Sequence, residues 1–342
     1  MGSHARSAKL GVVAGSIVSL VGTLGLAGSA RAAEQDWFLR FEPIFLEAHG
    51  HDPHVLNVHE IDLGPPRVDD TTAVSLDTDS RIAYRVGLER GGEEWAWGVD
   101  LFGFFTSQAA PRRTAAAGTG AVDEIVFEVA DQQFTSTGSS EVLFYETLED
   151  SDLELWTLDL YGTKTLARKS ESGSSIRLQF GLRFADFDND HFQVVGIEDV
   201  SGSFLGSSAN YDRMMGPLIG LVGDLRSGKN GIRGYFGQSV TLGSAVLTSS
   251  SQQFTGSVSA STFVADDTFR EQQDVAIPIT ELRLEWTYQL SGRVACGVGV
   301  NTATWHDVPV PPGHVPIEGG DEVFEESTIV LFGVLAKLEL RF

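Results

Sequence analysis

Apolar and polar residues alternate with a period of two along much of the chain, most cleanly between Ser327 and Phe342. There Thr328, Val330, Phe332, Val334, Ala336, Leu338, Leu340 and Phe342 share one face, while Gly333, Lys337, Glu339 and Arg341 fall on the other. Successive side chains of a strand point to opposite faces, so this stretch is a strand with one apolar face. The pattern recurs upstream. Trp37, Leu39, Phe41 and Phe45 share a face, with Pro43 among them expected to mark a bulge because it brings no ladder donor. Ile82, Tyr84, Val86 and Leu88 oppose Arg81, Ala83, Arg85 and Gly87, and Trp95, Trp97, Val99, Leu101 and Phe105 oppose Ala96, Gly98 and Asp100. Trp156, Leu158 and Leu160 oppose Thr157, Asp159 and Tyr161, and Ile176, Leu178, Phe180, Leu182 and Phe184 oppose Arg177, Gln179 and Arg183. Two weaker strands run over 214–226 and 231–242. Then Leu282, Leu284, Trp286, Tyr288 and Leu290 oppose Glu281, Arg283, Glu285, Thr287 and Gln289, and Val294, Cys296, Val298 and Val300 oppose Arg293, Gly297, Gly299 and Asn301.

Two kinds of connection join these strands. Short Gly-containing turns fall at 89–93, 169–174, 226–231 and 290–293, where glycine supplies the positive φ of a hairpin reversal. Long polar stretches fall at 50–72, 107–150, 189–210, 244–273 and 307–326. Short turns at one end and long loops at the other are the asymmetry of outer-membrane barrels, with the short side periplasmic. The fold expected is therefore all-β, a transmembrane antiparallel β-barrel of about ten strands with long extracellular loops. Twelve strands result if Glu124–Val129 and Glu141–Tyr145 join the wall; a hairpin within the second long loop is preferred, since the second segment lies too near Leu153 for a long turn between them. A soluble β-sandwich also alternates. Aromatic placement favours the barrel: Trp37, Trp95, Trp97, Tyr288 and Phe342 gather at the short-turn ends of the strands, and Phe105, Trp156 and Phe184 at the opposite ends, as two interfacial girdles.

Composition sharpens this picture at three points. Residues 10–27 form an apolar run behind Lys9 and ahead of Ala30-Arg31-Ala32, which reads as a secretory leader over 1–32 preceding a barrel over 33–342; a retained anchor is the alternative. No later run reaches the roughly 18 apolar residues of a spanning helix. Cys296 is the only cysteine, so no disulfide framework exists and stability falls to the hydrogen-bonded ladder. The formal charge of -23 argues against nucleic acid as a partner. The partners expected are outer-membrane lipid and the barrel assembly machinery, with Phe342 as an assembly signal; no cofactor is expected.

The inward face carries the candidate chemistry. It holds Arg81, Arg85, Asp100, Asp159, Arg177, Arg183, Glu281, Arg283, Glu285, Arg293, Lys337 and Glu339, with Arg40, Glu42, Asp224, Arg233 and Arg341. The two signs nearly balance, so the negative excess belongs to loops and turns. A ten-strand bore lies near the closed end of the range, where such groups either brace the wall as ion pairs or line a narrow polar passage whose selectivity they set. Elsewhere, Asp186, Asp188 and Asp190 resemble the opening of a calcium loop without its Gly and distal Glu, and read equally as a solvated strand end. His49, His51, His54 and His59 with Asp52 form a loose metal-ligand set in the first loop. Asp188, Asp190 and His191 on one rim and His306 with Asp307 on another could activate water. Ten-stranded surface proteases of the omptin type use such groups, but their sequence context is absent, and no enzyme is expected.

The run IRLQFGLRFADFDND from Ile176 and the run YDRMMGPLIGLVGDLR from Tyr211 resemble the Legionella-type pore-forming major outer-membrane protein family. Gly181-Leu182-Arg183-Phe184-Ala185-Asp186 matches that family's Gly-Leu-Arg-Tyr-Ala-Asp pattern with Phe for Tyr, and Gly216-Pro217-Leu218-Ile219-Gly220 matches its Gly-Pro-x-x-Gly strand. The resemblance implies a pore-forming outer-membrane barrel and carries no catalytic residue. The function expected is thus a narrow pore or structural surface protein, the alternatives being a surface protein whose acidic loops bind a cation or partner, and a rim-located hydrolase.

Overall fold

The structure, a computed structural model, describes residues 36–49, 56–62, 68–74, 81–92, 94–116, 124–129, 132–137, 144–169, 173–197, 201–255, 262–310 and 325–342. The expected leader lies outside them. The described chain is all strand. It begins with β1 (Asp36–His49), β2 (Leu56–Asp62), β3 (Val68–Val74), β4 (Arg81–Gly91) and β5 (Trp95–Ala116). The short β6 (Glu124–Val129) and β7 (Gln132–Thr137) precede β8 (Phe144–Lys169), β9 (Ser174–Ile197) and β10 (Ser201–Ser227). The chain ends with β11 (Asn230–Thr255), β12 (Thr262–Gln289), β13 (Val294–Val310) and β14 (Glu325–Arg341).

Ten of these strands close an antiparallel barrel in the order β1-β14-β13-β12-β11-β10-β9-β8-β5-β4, sealed where β14 pairs with β1. The remaining four form a separate sheet, β3-β2-β6-β7. Its hairpins lie in the β1–β4 and β5–β8 connections, so both leave the barrel from the long-connection end. Glu124–Val129 thus stays out of the wall, as preferred over a twelve-strand count. Its hairpin partner is Gln132–Thr137, whereas Phe144 and Tyr145 begin β8, in register with Ala116, Ala115 and Ile197. The expected bulge at Pro43 does not form. The β1–β4 register runs unbroken through the Pro43–Tyr84 pair, because proline's missing donor costs pairing with β14 alone.

The strands far exceed a membrane's requirement. β8 has 26 residues, β10 27 and β12 28, where about 9–11 span a bilayer. Most of what the sequence presents as loops over 107–116, 144–150, 189–210 and 244–273 is therefore ladder. Register shifts adjust it at several places, two of which have a non-glycine residue at positive φ. Between Asp212 and Met215 on β10, and between Trp305 and Val308 on β13, the register shifts at Arg213 and Asp307, which take φ of 58° and 54°. Each extra residue changes the phase, so that Tyr211 and Met214 both face inward, as do Trp305 and Val308. At the opposite end the reversals are tight, with Gly173 and Gly228 at φ of 69° and 60°.

Between the register shifts the faces alternate. Phe41, Phe45, Trp97, Leu182, Ile219, Leu284, Val298, Val334 and Leu338 are exposed on the outer wall, while the residues between them are buried. Toward the long-connection end the outer wall turns polar. On β9 the outward series runs Ile176, Leu178, Phe180, Leu182, Phe184, then Asp186, Asp188 and Asp190. On β8, Leu160, Leu158 and Trp156 give way to Glu154, and on β1 Phe45 gives way to Glu47 and His49.

Candidate functional site

The inner wall changes in the opposite sense at the same level. Beside the apolar outer band it is charged: Arg40, Glu42, Arg85, Asp100, Asp159, Arg183, Glu281, Arg283, Glu285 and Lys337 are all buried within the bore. Beside the polar outer wall it is apolar, a continuous cluster that includes Ile44, Leu46, Phe102, Phe104, Leu153, Leu155, Phe187, Tyr211, Ile277, Ile279, Trp305, Ile329 and Leu331. The switch falls between Glu42 and Ile44 on β1, Arg183 and Ala185 on β9, and Glu281 and Ile279 on β12. One half of the barrel has an apolar outside and a polar inside, and the other half the reverse.

The charged half is a set of interlocked ion pairs. Asp100 and Asp159 stand directly opposite each other on β5 and β8, a costly pairing of like charges unless each has a cation. Arg183 grips Asp159 with two bonds of 2.7 Å and reaches Glu281 at 2.5 Å and Ser239 at 3.2 Å. Arg40 holds Asp100 at 2.6 Å and Glu42 at 3.0 Å. It crosses Gly87 to do so, where a Cβ would stand 2.9 Å from its Nη2 and 3.2 Å from Asp100 Oδ1. Arg85 donates to Glu281 at 3.2 Å. Arg283 is less firmly held, with its Nη1 3.9 Å from Asp100 and 4.0 Å from Glu42, and its guanidinium 4.2 Å above the Tyr235 ring.

Nearer the short turns, Lys337 joins Glu285 at 2.8 Å and Glu339 at 3.2 Å, and Arg177 bridges Glu89 at 2.9 Å and Asp224 at 3.0 Å. The space left among Arg40, Glu89, Asp100, Tyr161, Arg177 and Arg233 has a volume of about 10 Å³, room for about one water. Beyond it, at the short-turn mouth, the bore opens into a hollow of about 290 Å³ lined by Asp224, Arg226, Lys229, Arg233, Thr287, Lys337, Glu339 and Arg341.

The apolar half caps this layer. Phe187 packs edge-on against Tyr211, ring centres 5.0 Å apart, and lies 6.1 Å from Trp305. The Tyr211 hydroxyl donates to the carbonyl of Pro309, tying β10 to β13. Thr241 donates to the Ile277 carbonyl at 3.3 Å. Among the described residues the bore is thus occupied at both levels.

Of the inward residues expected from sequence, Arg85, Asp100, Asp159, Arg177, Arg183, Glu281, Arg283, Glu285, Lys337 and Glu339 meet in the charged layer. Arg81 stands half-buried at the start of β4, on its inward face. Arg293 is a correction: it is exposed in the turn before β13, its carbonyl accepting from the Arg341 amide at 2.8 Å. Glu89 joins the layer although it reads as a turn residue, and only its phase with Arg85 and Gly87 marks it.

Asp186, Asp188 and Asp190 are on the outward face of a continuous strand rather than in a loop that could wrap a cation, and among the described residues no three side chains are grouped to hold a metal. Of the histidine set, His49 is exposed beside Glu47 at 3.7 Å; His51, His54 and Asp52 lie outside the described residues, as does the His59 side chain. The rim candidates for activating water are not brought together. Phe187 and Trp305 meet inside the bore, so their neighbours Asp188 and His306 face outward from strands that three others separate. The His191 side chain lies outside the described residues.

No protein-family model matches the chain, and no curated protein matches it. Among solved structures, the outer membrane protease OmpT of Escherichia coli is similar over 92% of this chain and 99% of its own, at 12% identity and a TM-score of 0.46. The Pseudomonas putida toluene transporter TodX covers 91% of this chain and 90% of its own, at 9% identity and a TM-score of 0.16. A Pseudomonas aeruginosa FadL homologue covers 91% and 90%, at 7% identity and 0.21. Likenesses this distant transfer no residue roles.

Proposed function

We propose that this protein is an outer-membrane β-barrel of a Gram-negative bacterium with a shut bore, acting as a structural surface protein rather than as a pore or an enzyme. The observation that carries this is the reversal of both walls at one level. An apolar exterior around a charged, paired interior suits hydrocarbon, which accepts no unpaired backbone or edge. A polar exterior around an apolar core suits water. The barrel wall continues past the bilayer as a water-facing β-structure with its own hydrophobic core, from which the β3-β2-β6-β7 sheet is carried outward. The interlocked ion pairs, with about 10 Å³ in the space among Arg40, Glu89, Asp100, Tyr161, Arg177 and Arg233, and the cap above them argue against a resting passage for hydrated ions.

Refolded protein in planar bilayers tests this directly. No stepwise conductance is expected at any voltage the membrane tolerates, alongside heat-modifiable migration on gels and cleavage of the outer segments by protease on intact cells. Reproducible channel events overturn the shut bore, and recovery as a soluble monomer overturns the membrane location.

A further inference from the structure

We propose that the short-turn mouth of the barrel is a binding site for a small oxyanion, a phosphate or phosphate monoester. The hollow there, about 290 Å³, lies at the lower end of small-ligand sites. Its two carboxylates are already engaged from within the wall: Asp224 accepts from Arg177 at 3.0 Å, and Glu339 lies 3.2 Å from Lys337. Arg233, also on the wall of the hollow, is differently placed. It forms longer ion pairs, Nε 3.6 Å from Asp224 and Nη1 3.9 Å from Glu339, and with five N–H donors in its planar fork it retains donor capacity. Arg226, Lys229 and Arg341 stand exposed at the rim of the same hollow.

The mouth therefore concentrates positive charge in a chain whose formal charge is -23. A guanidinium lining a small polar hollow with further cations at its rim is the chemistry that selects tetrahedral oxyanions with several acceptor oxygens. The hollow's size admits a phosphate or a small phosphate monoester and excludes a polymer from the bore itself. The source is either a soluble phosphate or the headgroup of a lipid in the adjoining leaflet, and both present the same chemistry. The binding does not depend on the bore being shut.

The test uses the full barrel in detergent micelles, titrated calorimetrically with inorganic phosphate, with glycerol 3-phosphate and, in a separate arm, with short-chain phosphatidylglycerol. Saturable binding of the soluble phosphates identifies a solute site, and binding of the lipid alone identifies a headgroup site. In either case Arg226→Gln combined with Lys229→Gln is expected to weaken binding about tenfold while leaving heat-modifiability unchanged. Arg233→Gln is expected to abolish it; if that variant does not assemble, the rim pair decides. Absence of saturable binding in every arm, or equal affinity in the rim variant, overturns the proposal.

Discussion

Trp37 and Phe342 exchange both of their backbone hydrogen bonds, each 3.0 Å long, and so make the last pair of the β1–β14 seam at the short-turn end. Phe342 is 58% exposed, on the outer side of that pair. A closed barrel has no edge only if this seam holds, because an open one leaves backbone donors and acceptors facing lipid at several kcal/mol each.

Replacing Phe342 by Asp keeps the backbone pair but places a charge among the interfacial aromatics, so assembly into the membrane should fall sharply while export persists. Quantifying folded and unfolded forms by their gel shift in membrane fractions checks this. Wild-type levels of the folded Phe342→Asp form would sink it.

The two central arginines should differ in stability cost. Arg183→Ala strands Asp159 and leaves Glu281 to Arg85, at a cost of about 3–5 kcal/mol. Arg283→Ala strands nothing, since Arg40 still holds Asp100 and Glu42, and should cost only about 1–2 kcal/mol, much of it from the Tyr235 contact. Urea unfolding in micelles measures both, and equal losses would show that the pairing geometry does not set the energetics.

The membrane half of this fold was legible in sequence because one rule governs it: apolar residues at every second position, tight turns at one end. The other half obeys the same period with its polarity inverted, which makes it look like loop. Asp186-Phe187-Asp188-Asn189-Asp190 resembles a calcium loop until Phe187 is seen to be buried in the bore with its acidic neighbours outside. Asp152-Leu153-Glu154-Leu155 follows the same inverted rule, with Leu153 and Leu155 buried. The partners within the charged layer were not legible, since which Arg meets which carboxylate depends on reach across the bore, as for Arg177 and Glu89, which are 88 residues apart. The bulges at Arg213 and Asp307 carry no glycine, so nothing local announced them.

Gly87→Val should disturb the charged layer without touching a charge. Its side chain would occupy the space through which Arg40 reaches Asp100, leaving that carboxylate beside Asp159 with its cation displaced. A loss of about 2 kcal/mol or more is expected, rescued in part by the double change with Asp100→Asn. Absence of coupling in that cycle would mean that the glycine is there for another reason.

The last prediction concerns the two closures in series. Trp305 is 2% exposed and packs near Phe187 in the apolar half, so Trp305→Ala leaves a cavity and should cost about 3–5 kcal/mol, felt as protease sensitivity of the outer segments. It should not make the barrel conduct. The charged layer below retains all of its pairs, and an ion would still have to displace an Arg–carboxylate contact to pass. Arg183→Ala, which loosens the lower layer, should likewise stay silent beneath the intact cap. Only the combined variant removes both, and it alone is expected to show transient conductance in planar bilayers, provided its gel shift confirms that it is folded. Steady channels in the Trp305→Ala protein would mean that the charged layer is itself permeable, making the apolar cap the sole barrier and reviving the passage that the inward charges first suggested.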